Sequence, residues 1–187
     1  MERAKVKGTH VLMARQWIDA QLGEGEFLKR IEERPSDWPK VLLPASWYDV
    51  DPMNHALRSA ARALGRTVED VATDISRSNA RHDLTTVYRA FLRVAGPHLV
   101  MNATALLWRN YVNFGDAQKV VNERGHYVGE CRGIPTRLLE WACGAWLGFV
   151  PTAIELAGGK RCSARIVETR VETSELSALR MEVRYAM

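Results

Sequence analysis

The sequence predicts an α+β fold: a helical N-terminal half followed by a small antiparallel sheet in a strand-strand-helix-strand-strand arrangement. Three observations predict it. Up to Gly115, apolar residues recur at helical spacing between caps, prolines and glycines. After it, two stretches of extended pattern stand on either side of one long apolar segment. With 187 residues, 47% of them hydrophobic, the chain suffices for one sizeable core but is short for two, so residues 1–187 are expected to form a single domain.

Thr9 can cap a first helix that runs to Leu22 and stops at Gly23, and "GEFLKRIEERPSDWP" gives a second, short helix ended by Pro35. "VLLPASWYDVDP" reads as a proline-punctuated connection. Asp51 and Pro52 then open a helix with Met53, Leu57, Ala60, Ala61 and Leu64 on one side, closed by Gly65. Thr67 and Asp70 make a capping-box-like start for a helix with Val68, Val71, Ala72 and Ile75 inward. Leu84, Val87, Tyr88, Phe91, Leu92 and Ala95 form one continuous helical stripe. Gly96-Pro97 breaks the chain and starts "PHLVMNATALLWRNYVNFG", apolar on most of its circumference and expected to be the central, most buried helix, with Arg109 its only formal charge. "KVVNERGHYVGECRG" reads as two short strands turning between Glu123 and His126 at Gly125.

Pro135 opens the long apolar segment and Gly158-Gly159 stops it, with Leu138, Leu139, Ala142, Trp146, Phe149, Ala153 and Ile154 on a broad face. Its uncharged stretch between Glu140 and Glu155 is 14 residues, short of the roughly 20 a bilayer needs, so a buried helix kinked at Pro151 is expected rather than a membrane span. "RCSARIVETRV" and "ALRMEVRY" close the chain as strands. The second alternates Leu179, Met181, Val183 and Tyr185 against Arg180, Glu182 and Arg184, the mark of a sheet with one wet face.

Several function classes are excluded or weakened. A net charge of +4 predicts solubility rather than a partner. The arginine rows Arg58, Arg62, Arg66; Arg77, Arg81; and Arg89, Arg93 suit solvated helix faces, though they also suit acidic partners. The basic N-terminus lacks the apolar run and cleavage pattern of a secretory signal, so the expected location is cytoplasmic. Cys131, Cys143 and Cys162 have neither disulfide nor metal-clip spacing and read as buried thiols. "TVYR" resembles a helix-turn-helix recognition helix, but Ala72 precedes Val87 by fifteen residues where that motif needs about ten, so no nucleic-acid partner is expected. No phosphate loop, dinucleotide fingerprint or Gly-x-Ser-x-Gly elbow is present, and Glu32-Glu33 and Glu69-Asp70 read as solvated pairs, so no catalytic residue is assigned.

The aromatic residues of the C-terminal half are the remaining signal. Trp108 and Tyr111, Tyr127 on a strand, and Trp141, Trp146 and Phe149 can converge either as plain core or as the wall of an apolar pocket. Gly144 and Gly148 flank Trp146 and Pro151 follows, which favours a gap beside it. The candidate ligand-binding set is therefore Trp108, Arg109, Tyr111, Tyr127, Trp146 and Phe149. Arg109 has three alternatives: reaching water with its tip, pairing with Glu140 or Glu155, or holding the acidic head of a ligand.

"LLPASWYDVDPMNHALRSAARALGRTVEDV", "VYRAFLRVAGPHLVMNATALLWRNYVNFG" and "GGKRCSARIVE" together resemble an uncharacterised family of myxobacterial proteins. That family is similar to a superfamily containing heme nitric-oxide-binding domains, 4-vinyl reductase-like sensor domains and the small subunits of the TRAPP tethering complex. The resemblance implies the same helices-plus-sheet fold, a homodimer through N-terminal helices, and either a sensor or an adaptor. The heme-binding members carry a Tyr-x-Ser-x-Arg clamp, absent here, and none of His10, His55, His82, His98 and His126 sits at a matching axial position. The zinc-holding sensors carry hairpin cysteines, while "ETRVETSELSALRM" has none. The expectation is a non-enzymatic regulatory domain with no cofactor and no metal. It binds an apolar small molecule and passes the signal to a separate partner protein; the alternatives are a ligand-free adaptor of TRAPP-like type and, after it, a DNA-binding regulator.

Overall fold

The computed structural model describes residues 3–32, 38–39, 41–86 and 96–187. Pro35, Arg89, Arg93 and the stripe from Val87 to Ala95 lie outside the described residues. The helical half comprises α1 (Gly8–Leu22), α2 (Glu26–Glu32), α3 (Val50–Ala63), α4 (Val68–Thr85), α5 (Pro97–Asn102) and α6 (Thr104–Tyr111). There follow β3 (Asp116–Glu123), β4 (His126–Pro135), α7 (Leu139–Leu156), β5 (Lys160–Val171) and β6 (Leu176–Ala186), in the strand-strand-helix-strand-strand order the sequence predicts. The sheet is antiparallel throughout in the order β3-β4-β6-β5.

A second, two-stranded sheet pairs β1 (Lys5–Lys7) with β2 (Trp47–Asp49), Lys5 opposite Asp49 and Lys7 opposite Trp47. It changes how α1 begins. The Gly8 and Thr9 amides donate to the carbonyls of Ser46 (2.8 Å) and Pro44 (3.1 Å), so loop backbone satisfies the helix start and no Thr9 cap is formed. Asp49, not Asp51, caps α3 by accepting from the Asp51 amide at 3.0 Å. The Asp51 carboxylate instead receives Arg137 at 2.7 and 2.9 Å. At α4 the Thr67 hydroxyl accepts from the Asp70 amide at 3.0 Å, as its spacing predicts.

The expected central helix after Gly96-Pro97 is two short helices, α5 and α6, divided at Ala103, with Leu99 48% and Leu106 63% exposed. The central position belongs to α7, which packs against α4 and against β4, β5 and β6. Its segment from Trp141 to Trp146 is buried without interruption. Pro151 stands inside α7, which continues helical to Leu156.

Gly144 and Gly148 face α4 rather than a gap. A Cβ on Gly144 would overlap the Glu69 carbonyl oxygen, and one on Gly148 the Thr73 carbonyl oxygen. The two glycines therefore let the α4 and α7 backbones approach closely. On β6, Leu179, Met181, Val183 and Tyr185 are buried while Arg184 is exposed, the alternation expected of a half-wet sheet. Among the described residues no helix is long and apolar enough to cross a membrane.

Candidate functional site

The aromatic side chains do converge. Three α7 residues, Trp141, Trp146 and Phe149, meet Trp108 and Tyr111 of α6. Ring centroids lie 5.9 Å apart for Trp108–Trp146, 6.2 Å for Trp108–Trp141 and 5.5 Å for Tyr111–Phe149, the edge and tilted contacts such rings favour. The group follows from helical spacing: Trp108 and Tyr111 are three apart on α6, and Trp146 and Phe149 three apart on α7, so each pair shares a helix face. Between the helices lies a cavity of about 50 Å³, bordered also by α1, α4 and α5.

Of the six candidate residues, Trp108, Tyr111, Trp146 and Phe149 line this cavity. Tyr127 is buried on β4 behind it. A Cβ added at Gly129 would come within 2.6 Å of both Trp146 Cζ3 and the Tyr127 hydroxyl, so Tyr127 and Gly129 seat Trp146 against the sheet. Arg109 lies outside the cavity: its side chain is 68% exposed and donates to Asp116 at 2.7 Å. It therefore reaches water, as one of its three alternatives required, and has neither Glu140 nor Glu155 as partner. Glu140 pairs instead with Arg58 at 2.9 Å. Arg66 and Arg77 of the arginine rows both pair with Asp74.

The lining also holds residues that sequence reasoning passed over. His10 of α1, Ser76 and Asn79 of α4 and Thr104 of α6 bring polar side chains to the wall, and all four are buried. The His10 ring stands edge-on to Trp141, centroids 5.5 Å apart, with Nδ1 at a long 3.5 Å from the Asn79 amide nitrogen. Burial pushes the His10 pKa down to about 4, so the ring is neutral at physiological pH. Further along α4, Asp83 accepts a short hydrogen bond from the Tyr111 hydroxyl. Burial raises the Asp83 pKa, and the Tyr111 bond opposes that shift.

The signal for these residues was present in the chain. Ala72, Ser76, Asn79 and Asp83 follow each other at steps of three and four, so three polar side chains sit on the buried face of α4. His10 likewise shares the inner face of α1 with Ala14 and Ile18, four and eight residues on.

A heme does not fit this arrangement. Among the described residues His10 Nε2 has no protein partner, but none of those residues lining the cavity is a lysine or arginine that could meet two propionates. The volume of about 50 Å³ is a third of the ~150 Å³ that takes a benzene, far short of a porphyrin. β4 does carry Tyr127, Gly129 and Cys131 at the spacing of the Tyr-x-Ser-x-Arg clamp. The last position is a buried thiol whose pKa burial raises, not a cation. Among the described residues no group of three or more His, Cys, Asp and Glu side chains could hold a metal ion.

No protein-family model and no curated protein matches the sequence. Solved structures do match its fold. An oxygen-binding H-NOX domain related to soluble guanylate cyclases superposes with a TM-score of 0.69 at 12% identity, over 97% of this chain and 95% of that one. A variant H-NOX domain of T. tengcongensis gives a TM-score of 0.70 at 15% identity, over 97% and 98%. An Fe(II) unliganded H-NOX protein from K. algicida gives 0.71 at 11%, over 97% of each chain. At these identities the likeness is one of fold, in agreement with the heme-nitric-oxide-binding branch of the sequence resemblance.

Proposed function

We propose that this chain is a non-enzymatic regulatory domain, a sensor that binds a small, largely apolar molecule in the cavity between α1, α4, α6 and α7 and passes the signal to a separate partner protein. The single observation that carries this reading is a cavity walled by Trp108, Tyr111, Trp141, Trp146 and Phe149 in a fold like that of H-NOX domains. Aromatic walls bury an apolar ligand at low conformational cost. The lack of room for a porphyrin, and of counter-charge among the described lining residues, directs the reading away from heme-mediated gas binding. A cytoplasmic location and a homodimer through the N-terminal helices belong to the same reading.

Native mass spectrometry of freshly purified protein tests it. A retained small molecule released on unfolding, on a chain of dimeric mass, is the expected result. A bare monomer whose cavity also rejects small apolar probes would favour the ligand-free adaptor. The same sample is expected to contain no stoichiometric iron or zinc and to show no Soret band; one heme per chain would overturn the cofactor-free reading.

A further inference from the structure

Five buried polar atoms without a hydrogen-bond partner among the described residues belong to side chains that line this one cavity: His10 Nε2, Ser76 Oγ, Asn79 Oδ1, Trp141 Nε1 and Trp146 Nε1. Buried polar groups in native proteins are nearly always paired, so five orphans on side chains of α1, α4 and α7 around one cavity point to a polar guest there. Thr104, Trp108 and Tyr111 add polar atoms that already have partners, the Met101 carbonyl, the Phe114 carbonyl and the Asp83 carboxylate, and the other described lining residues are apolar.

The donor and acceptor count narrows the ligand. Both indole nitrogens can only donate. With the Asn79 amide nitrogen turned to His10 Nδ1, the ring proton sits on Nε2, which becomes a third donor, while Asn79 Oδ1 is left as the one obligate acceptor. Reversing the Asn79 amide and the ring tautomer together exchanges those two roles and leaves donors in the same excess. Ser76 can serve as either. A guest matched to this wall must mainly accept hydrogen bonds. It must also be uncharged, because among the described residues no ionic side chain lines the cavity and an unpaired ion there would be stripped of water. A hydrocarbon would leave every orphan unmet.

We infer that the cavity recognises a small uncharged carbonyl compound, its oxygen held by donors from the His10, Ser76 and Trp141 side of the wall and its apolar remainder among Tyr111, Phe149 and Trp108. The inference rests on the proposal that the cavity is a ligand site, and it adds the chemical class. A cavity of about 50 Å³, well under the ~150 Å³ that takes benzene, restricts the guest to a few heavy atoms unless the aromatic wall shifts.

Three probes of about five heavy atoms each separate the possibilities: butan-2-one, its isostere 2-methylbutane, and the propanoate anion. Each is titrated into ¹⁵N-labelled full-length protein while the indole N–H signals of Trp141 and Trp146 are followed. Butan-2-one is expected to shift them saturably and to bind at least tenfold more tightly than 2-methylbutane, with propanoate giving no saturable shift. Asn79→Leu, which removes the group that faces His10 Nδ1 and so no longer fixes the Nε2 proton as a donor, is expected to reduce the ketone preference to under threefold. Ser76→Ala, a change of one atom, is the second variant and is expected to reduce the preference at least twofold. Equal binding of ketone and alkane, or tightest binding of propanoate, would overturn the carbonyl assignment and leave the cavity a ligand site. No saturable shift with any of the three would overturn both.

Discussion

Arg109 and Asp116 are joined at 2.7 Å with side chains 68% and 49% exposed, and exposure decides what that contact contributes. Exposed ion pairs are worth ~0–1 kcal/mol because water competes for both partners, whereas breaking a buried pair costs ~3–5 kcal/mol. Arg109→Met is therefore expected to change stability by less than about 1 kcal/mol in urea denaturation; a loss of ~3 kcal/mol would mean that the charge is buried in solution. Asp83 is the opposite case, only 4% exposed and bonded to Tyr111. Its raised pKa means that the native state holds the carboxyl proton more tightly than the unfolded chain does. Stability falls as pH rises from the unfolded-state pKa to the folded one, and the penalty persists at neutrality. Asp83→Asn keeps an acceptor for Tyr111 and removes the charge. It is expected to raise Tm at pH 7 by a few degrees, at roughly 2–4 °C per kcal/mol for a chain of this size, and a lowered Tm would show the carboxylate to be stabilising. The aromatic half of the site was legible because Trp108, Tyr111, Trp146 and Phe149 are large and helically spaced. Its polar half was not, because one histidine, one serine and one asparagine on apolar faces look individually like ordinary satisfied core residues.

At the scale of elements, the α4–α7 contact depends on the absence of side chains at Gly144 and Gly148. Two effects compete in Gly148→Ala. Helix propensity favours alanine by ~1 kcal/mol, and overpacking costs ~1–3 kcal/mol or more. Because the added Cβ would meet the Thr73 carbonyl of a neighbouring helix and not a yielding side-chain tip, overpacking should prevail, with a net loss of about 2 kcal/mol measured by urea denaturation. A more stable variant would show that α4 can retreat without loss. Composition beside Trp146 suggested the glycines' importance, but only three-dimensional packing reveals which neighbour they admit. Local chemistry read correctly where the determinants are local, as at the Thr67–Asp70 cap, the Gly125 turn and the β6 alternation. It failed for β1 and β2, three-residue strands whose partners are about forty residues apart in the chain, too short to show a period. It also failed at Ala103, where an apolar run with no Pro or Gly inside it divides into two helices.

The whole molecule combines these groups in its response to acid. The wet face of the sheet ties Glu182 to Arg165 and Arg184, at 2.6 and 2.7 Å, and their hydrogen bonds and charges hold the Glu182 pKa down to about 2. The stabilisation is present above the ordinary carboxylate range and is lost as pH falls toward 2. His10 acts at higher pH. Its pKa is 6.5 in the unfolded chain and about 4 beside Asn79 and Trp141, so between these values the unfolded chain binds the proton that the native state refuses. Stability is full above pH 6.5 and falls as pH drops to 4. The difference of about 2.5 units, at 1.36 kcal/mol each, amounts to about 3 kcal/mol. Asp83 works against this loss over the acid part of the range. Urea midpoints should fall by about 1–2 M between pH 7 and pH 4, with little change in slope. His10→Gln keeps a polar side chain at the cavity and removes the titration, so its midpoint should start lower at pH 7 and stay nearly level to about pH 4.5. An acid loss in His10→Gln as steep as in the native protein would place the titrating group elsewhere and leave the His10 ring open to water.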